Sequence, residues 1–272
     1  RPKGREHGEM TEPVARWPVV PSGEAHRLAE LTGGDGLTGF MPPPLPDAAW
    51  VLHPMYEHEH GPSHVTYDEH HQARLAAGNL PPRIAGGVDL TRVGTVTGGG
   101  MGRAEHPGSG WRRLRWEESA HRIGDPPVPE GLLPSHRCFP SVKRKGSWPL
   151  SIIPPTEGSL GRQTWKRLIA VLTRYSPAGA DTRCLSHHSP LSLWDTDFDD
   201  LHVRAGRLGE AEILYDFPDA DFSPSNLWTE DCSWVVCTDY DLWATKVAGP
   251  AALVEALLND TEIEAVRLPW AP

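Results

Sequence analysis

The sequence predicts an α+β fold, a mostly antiparallel sheet with packed helices and many loops. Three observations carry this expectation. The last third of the chain reads strand, strand, helix, strand, an order that layers helices on an antiparallel sheet. Trp165, Leu168, Ile169 and Leu172 recur at i, i+3, i+4 and i+7, the stripe of an amphipathic helix. The 27 glycines and 28 prolines among 272 residues demand loops without reaching low-complexity composition.

Taken in order, residues 1–39 read as a polar N-terminal extension and a short helix, capped by Ser22, carrying Leu28 and Leu31 and ending at Gly33 or Gly34. Met10 is read as a natural start, because Arg1 to Glu9 lack the apolar stretch of a signal peptide. Residues 40–125 form an N-terminal α+β region. There Trp50 to His53 reads as a strand, Thr66-x-x-Glu69 as a capping box before a helix ending near Gly78, and Val88 to Thr97 as a strand. Residues 126–158 are dense in proline and read as a connector.

Residues 159–272 form an acidic C-terminal α+β domain. Strands are expected at Thr182 to His187, His202 to Ala205 and Glu212 to Phe217. Ser233 to Thr238 and Leu242 to Val247 flank Asp239-Tyr240-Asp241 as a hairpin, and Trp234 to Cys237 lacks polar alternation, so that strand is expected to be covered on both faces. Gly249-Pro250 opens a helix with Leu253, Val254, Leu257 and Leu258, and Ile263 to Leu268 closes as a strand.

Charge divides the chain. Residues 1–150 hold 17 basic and 17 acidic side chains, whereas residues 151–272 hold 9 and 19 and carry the whole net charge of −10. From Asp195 to Asp241 thirteen acids face only Arg204 and Arg207. Such a field disfavours nucleic acid and favours a basic protein partner, with a solvated, solubilising face as the plainer reading. No apolar run approaches the roughly 18 residues of a membrane span, so no membrane contact is expected. Cys138, Cys184, Cys232 and Cys237 form no Cys-x-x-Cys pair and read as reduced thiols of a cytoplasmic protein.

Candidate chemistry starts with six histidines, His53, His58, His60, His64, His70 and His71, interspersed with Glu57, Glu59, Asp68 and Glu69. Imidazole and carboxylate suit zinc, and His53, His58, His60 and His64 are the candidate ligands, with Glu57 or Glu59 as general base. The spacing does not complete His-Glu-x-x-His, and a histidine-rich surface loop is the plainer reading. Asp195-x-Asp197-x-Asp199-Asp200 begins like a calcium loop but has Asp200 and Gly206 where Gly and Glu are required. Thr97 to Gly102 is glycine-rich without completing a phosphate-binding motif. Lys143-Arg144-Lys145 is short for a nucleic-acid patch and is expected to pair with the acidic half.

In the hairpin, Trp228, Trp234 and Trp243 stand near Asp239 and Asp241. Core packing accounts for most such rings, but an exposed one beside carboxylates would suit an Arg or Lys of a partner. Asp239, Asp241, Trp243 and Trp228 are therefore the candidate partner-binding residues.

Pro224 to Trp228, Glu230 to Trp234, Asp239 to Trp243 and Lys246 to Gly249 resemble the C-terminal signature of an actinobacterial protein family, as do Gly110 to Trp116 and Pro154 to Leu160 upstream. The resemblance implies a shared fold after residue 40 and brings no activity, ligand or catalytic residue.

The expected function is a cytoplasmic, non-enzymatic protein-interaction module, of immunity or regulatory type, with an acidic binding face and no cofactor. The alternative is a metal-dependent hydrolase built on the His53 to His64 segment.

Overall fold

A computed structural model describes residues 15–31, 45–61, 64–123, 126–129, 131–188, 202–218 and 220–268. The first half contains β1 (Val19–Val20), α1 (His26–Leu31), β2 (Asp47–Leu52), β3 (Met55–His58), α2 (Tyr67–Ala76), β4 (Ile84–Ala85), β5 (Val88–Asp89), β6 (Trp111–Leu114), α3 (Trp116–Ile123) and α4 (Pro140–Lys145). The second half contains β7 (Ile152–Ile153), α5 (Arg162–Arg174), β8 (Arg183–His187), β9 (Val203–Arg207), β10 (Asn226–Thr229), β11 (Val235–Thr238), β12 (Ala244–Gly249), α6 (Ala251–Leu258) and β13 (Ala265–Arg267).

The fold is α+β. Eight strands pair in the order β1-β9-β8-β10-β11-β12-β2-β13, each antiparallel to its neighbours. A smaller sheet, β6-β3-β7, and the β4-β5 hairpin complete the strands described. β2 is hydrogen-bonded between β12 and β13, with Trp50 opposite both Lys246 and Val266, so residues 40–125 and 159–272 share one sheet. Among the described residues no helix is long and apolar enough to cross a membrane.

Strand alternation sorts the side chains to two faces. Val51, Cys184, Leu227, Val236 and Val247 meet Trp165, Leu168, Ile169, Leu172, Leu253 and Leu257 of α5 and α6 in one core. The other face is covered twice: Leu185, Trp228 and Val235 pack with Leu28 of α1, while Trp50, Leu52 and Ala244 pack with Met55, Leu114, Trp116 and Phe139. Covering on both faces is why Val235–Thr238 is buried throughout and reads as an uninterrupted apolar run. Each fully buried Leu or Ile on the α5 stripe contributes roughly 1.5–3 kcal/mol.

The capping box is present: the Thr66 hydroxyl accepts from Glu69 N at 3.2 Å and the Glu69 carboxylate accepts from Thr66 N at 2.8 Å. One expected strand is not formed and another is cut short. Glu212 to Asp216 lies in a 3-10 helix over Leu208–Asp216 that ends at Phe217, because Leu208, Ala211, Leu214 and Phe217 are buried at every third position rather than every second. Val88 to Thr97 is a strand only at Val88–Asp89. The Asp89 carboxylate then caps a 3-10 turn by accepting from Thr91 N, and Val88 and Val93 have no face to bury. The expected connector, residues 126–158, supplies Cys138, Phe139, Val142 and Trp148 to the second core and forms α4, with Pro140 at its start and Gly146 in the left-handed conformation at its end.

Candidate functional site

The histidine segment runs from β2 into β3, and the fold separates its members. His53 is fully buried, with Nδ1 2.7 Å from the Thr156 carbonyl oxygen and Nε2 3.0 Å from the Thr245 hydroxyl oxygen. Both ring nitrogens are engaged by protein groups, so His53 is a core residue rather than an open ligand. Burial pushes its pKa down to about 4. His58 packs edge-on to Trp111 at 5.0 Å, and its Nδ1 accepts from His60 N at 3.2 Å. His60 and His64 are exposed. Among the described residues no group of three or more His, Cys, Asp or Glu side chains is placed to hold a metal ion.

Glu57, a candidate base, is clamped between Arg112 and Arg122, the latter at 2.8 Å, and Glu118 of α3 completes the network with bonds to both arginines. Hydrogen bonding from Arg122 holds its carboxyl below the usual range, which keeps it charged but makes it a poor proton acceptor. Glu59 is exposed, and its backbone N–H donates to the Gly110 carbonyl at 3.0 Å.

In the hairpin the tryptophans point inward. Trp228 and Trp243 are 1% and 3% exposed, so the rings expected at a partner surface are core instead. What the β11–β12 turn presents is Tyr240, 51% exposed, between Asp239 and Asp241. The turn is ordered by its own groups: Asp239 Oδ1 accepts from Asp241 N at 2.9 Å, and Leu242 N donates to the Asp239 carbonyl at 3.2 Å. Gly158 braces it from behind with φ of +67°, its N–H donating to the Leu242 carbonyl at 3.0 Å.

Within the acidic stretch the carboxylates have different fates. Glu210 pairs with Arg16 at 3.5 Å, Asp216 with Arg162 at 2.6 Å and Glu230 with Arg183 at 2.6 Å. Among the described residues Asp239 and Asp241 have no ion pair. Asp195 to Asp200, the calcium-like run, lies outside the described residues.

Next to the braced turn is a cleft of about 580 Å³ lined by Trp148, Trp243, Met101, His136, Lys143 and Glu157, among others. Its inner wall is an aromatic stack in which Trp148 and Trp243 lie 6.0 Å apart and each meets Phe139, at 4.9 and 5.8 Å. The glycine-rich loop forms its rim rather than a phosphate cradle. Gly98 lies against the Tyr67 ring, where a Cβ would come within 2.3 Å, and Gly99 and Gly100 line the opening. Lys143, Arg144 and Lys145 form the last turn of α4, a favourable place for cations. Among the described residues they make no ion pair with the acidic half. Sequence reasoning missed Glu157 and His136, which the fold brings to this cleft from separate segments.

Compared with known proteins, the chain matches no family model, no curated protein and no solved structure.

Proposed function

We propose that the protein is a non-catalytic interaction module of the cytoplasm that captures a basic segment of a partner protein on the Asp239-Tyr240-Asp241 turn. The observation that carries this reading is Tyr240, half-exposed between two carboxylates that have no ion pair among the described residues. Glu210, Asp216 and Glu230 are spent on internal arginines, whereas Asp239 and Asp241 are not, so both carboxylates remain for a partner. A guanidinium or ammonium would gain attraction from both carboxylates and from the face of the phenol ring. The turn is preordered by its own hydrogen bonds, which lowers the entropy lost on binding. Glu157 and the Trp148–Trp243 wall lie alongside to receive an adjoining side chain.

The test is a fluorescence titration with an Arg- and Lys-rich peptide and with an acidic peptide of the same length, combined with affinity capture from native lysate. Binding of the basic peptide should weaken with salt and be lost in Asp239→Lys/Asp241→Lys and in Tyr240→Ala. Equal binding by wild type and the charge-reversed variant, in both assays, would remove the basis of the reading.

A further inference from the structure

A second cleft, of about 460 Å³, lies where the small sheet meets α5. Its floor comes from β3 and β6, whose register sets Tyr56 opposite Arg113. Arg113 Nε is buried with no hydrogen-bond partner among the described residues. Arg115, two residues on, also lines the cleft, as does His106, whose ring stands edge-on to Tyr56 at 5.1 Å. Gln163 and Thr164 enter from the first turn of α5, a 13-residue helix whose N-cap, Gly161, supplies no side-chain bond.

The charge balance of this cleft is unusual for so acidic a protein. Glu118 is committed to Arg112 and Arg122 at 2.7 and 2.8 Å, and Glu262 to Arg167 at 3.5 Å. The remaining carboxylate, buried Glu264, approaches Arg115 Nε only to 4.0 Å, and its Oε1 also accepts from Glu117 N at 2.9 Å. Among the described residues Arg113 has no ion pair, so two guanidiniums share one carboxylate. Leaving a largely buried guanidinium without close compensation is costly, and an anion in the cleft relieves that cost.

We propose that this cleft binds the phosphate group of a small molecule, held by Arg113, Arg115 and the amino-terminal turn of α5. The donors approach from two segments, β6 with Arg115 just beyond it and the first turn of α5, and a phosphate with three acceptor oxygens can meet both guanidiniums and the helix turn at once, which a planar carboxylate with two cannot. The helix turn adds a favourable dipole and backbone donors. The cleft is larger than a phosphate needs, and Tyr56 and His106 offer an apolar edge to the organic remainder. This ligand site stands apart from the basic-partner reading.

The experiment is isothermal titration of the full chain, in phosphate-free buffer, with inorganic phosphate and with phenyl phosphate. Acetate at equal ionic strength serves as the control. Saturable one-to-one binding is expected, tighter for phenyl phosphate and absent for acetate. Arg115→Gln, a change at a half-exposed side chain, and Arg113→Lys, which keeps the charge but loses the planar fork, should each weaken binding about tenfold or more, ~1.4 kcal/mol. Arg144→Gln, outside the cleft, should change nothing. Absence of saturation by about 10 mM ligand overturns the proposal. So does acetate binding as tightly as phosphate, or equal binding by wild type and both cleft variants.

Discussion

His53 Nε2 lies 3.0 Å from the Thr245 hydroxyl oxygen, a contact that ties the residue after β2 to the start of β12 across 192 positions of sequence. A carbonyl can only accept, so the bond to Thr156 O places the ring proton on Nδ1, leaving Nε2 to accept from the Thr245 hydroxyl. Thr245 Oγ1 is in turn 2.8 Å from Thr238 Oγ1, which extends the buried chain into β11. Protonating His53 would remove the acceptor and bury a charge at once.

Acid sensitivity follows from that chain. The folded-state pKa of His53, about 4, lies below the ordinary value of 6.5, so in this interval the unfolded chain binds the additional proton. The associated stability is complete above pH 6.5 and falls as the pH drops towards 4, by about 3 kcal/mol for this one buried group. His187 and His188 are shifted down by burial as well, and act in the same direction. Urea unfolding followed from about pH 7.5 to about pH 4 should show this slope, and His53→Gln should reduce it.

The start of α2 depends on the reciprocal bonds of Thr66 and Glu69. Thr66→Ala should cost about 1 kcal/mol in urea unfolding, and Thr66→Ser should recover most of it, since a hydroxyl at this position is what the cap requires.

Trp228 separates core from surface in the hairpin. Its ring is packed with Leu28, Leu185 and Val235, so Trp228→Ala should lower unfolding free energy by about 3–5 kcal/mol. Binding of a basic peptide per folded molecule should be unchanged. Tyr240→Ala should give the reverse pattern, with peptide binding lost and stability within about 0.5 kcal/mol of wild type.

Gly158 is the brace of the turn. A Cβ there would lie 2.9 Å from Tyr240 Cα, and φ of +67° disfavours any L side chain. Gly158→Ala should cost about 1–3 kcal/mol by urea unfolding and weaken peptide binding, because the turn must shift to relieve the contact.

Legibility in the sequence follows the range of each interaction. The α5 stripe, the Thr66 capping box and the β11–β12 hairpin rest on residues a few positions apart, and each was readable. The strand expected at Glu212 to Phe217 became a 3-10 helix because the period of burial, three rather than two, is visible only once Leu208 and Ala211 are known to face α5. For the sites the contrast is sharper. Asp239 and Asp241 were legible as charge, but exposure chose Tyr240 over Trp228 and Trp243 as the ring beside them. His53 looked like a ligand among neighbours in sequence, and the fold instead gave both of its nitrogens to Thr156 and Thr245.

By itself, then, the sequence determined the α+β class, the antiparallel hairpin and the acidic bias of the second half, all consequences of local periodicity and composition. Tertiary structure alone decided that β2 enters the sheet between β12 and β13, which carboxylates are neutralised by arginines, and that Arg113 and Arg115 meet the start of α5. Those outcomes depend on pairing between distant segments, and neither the spacing of residues nor their identity encodes a distance across the fold.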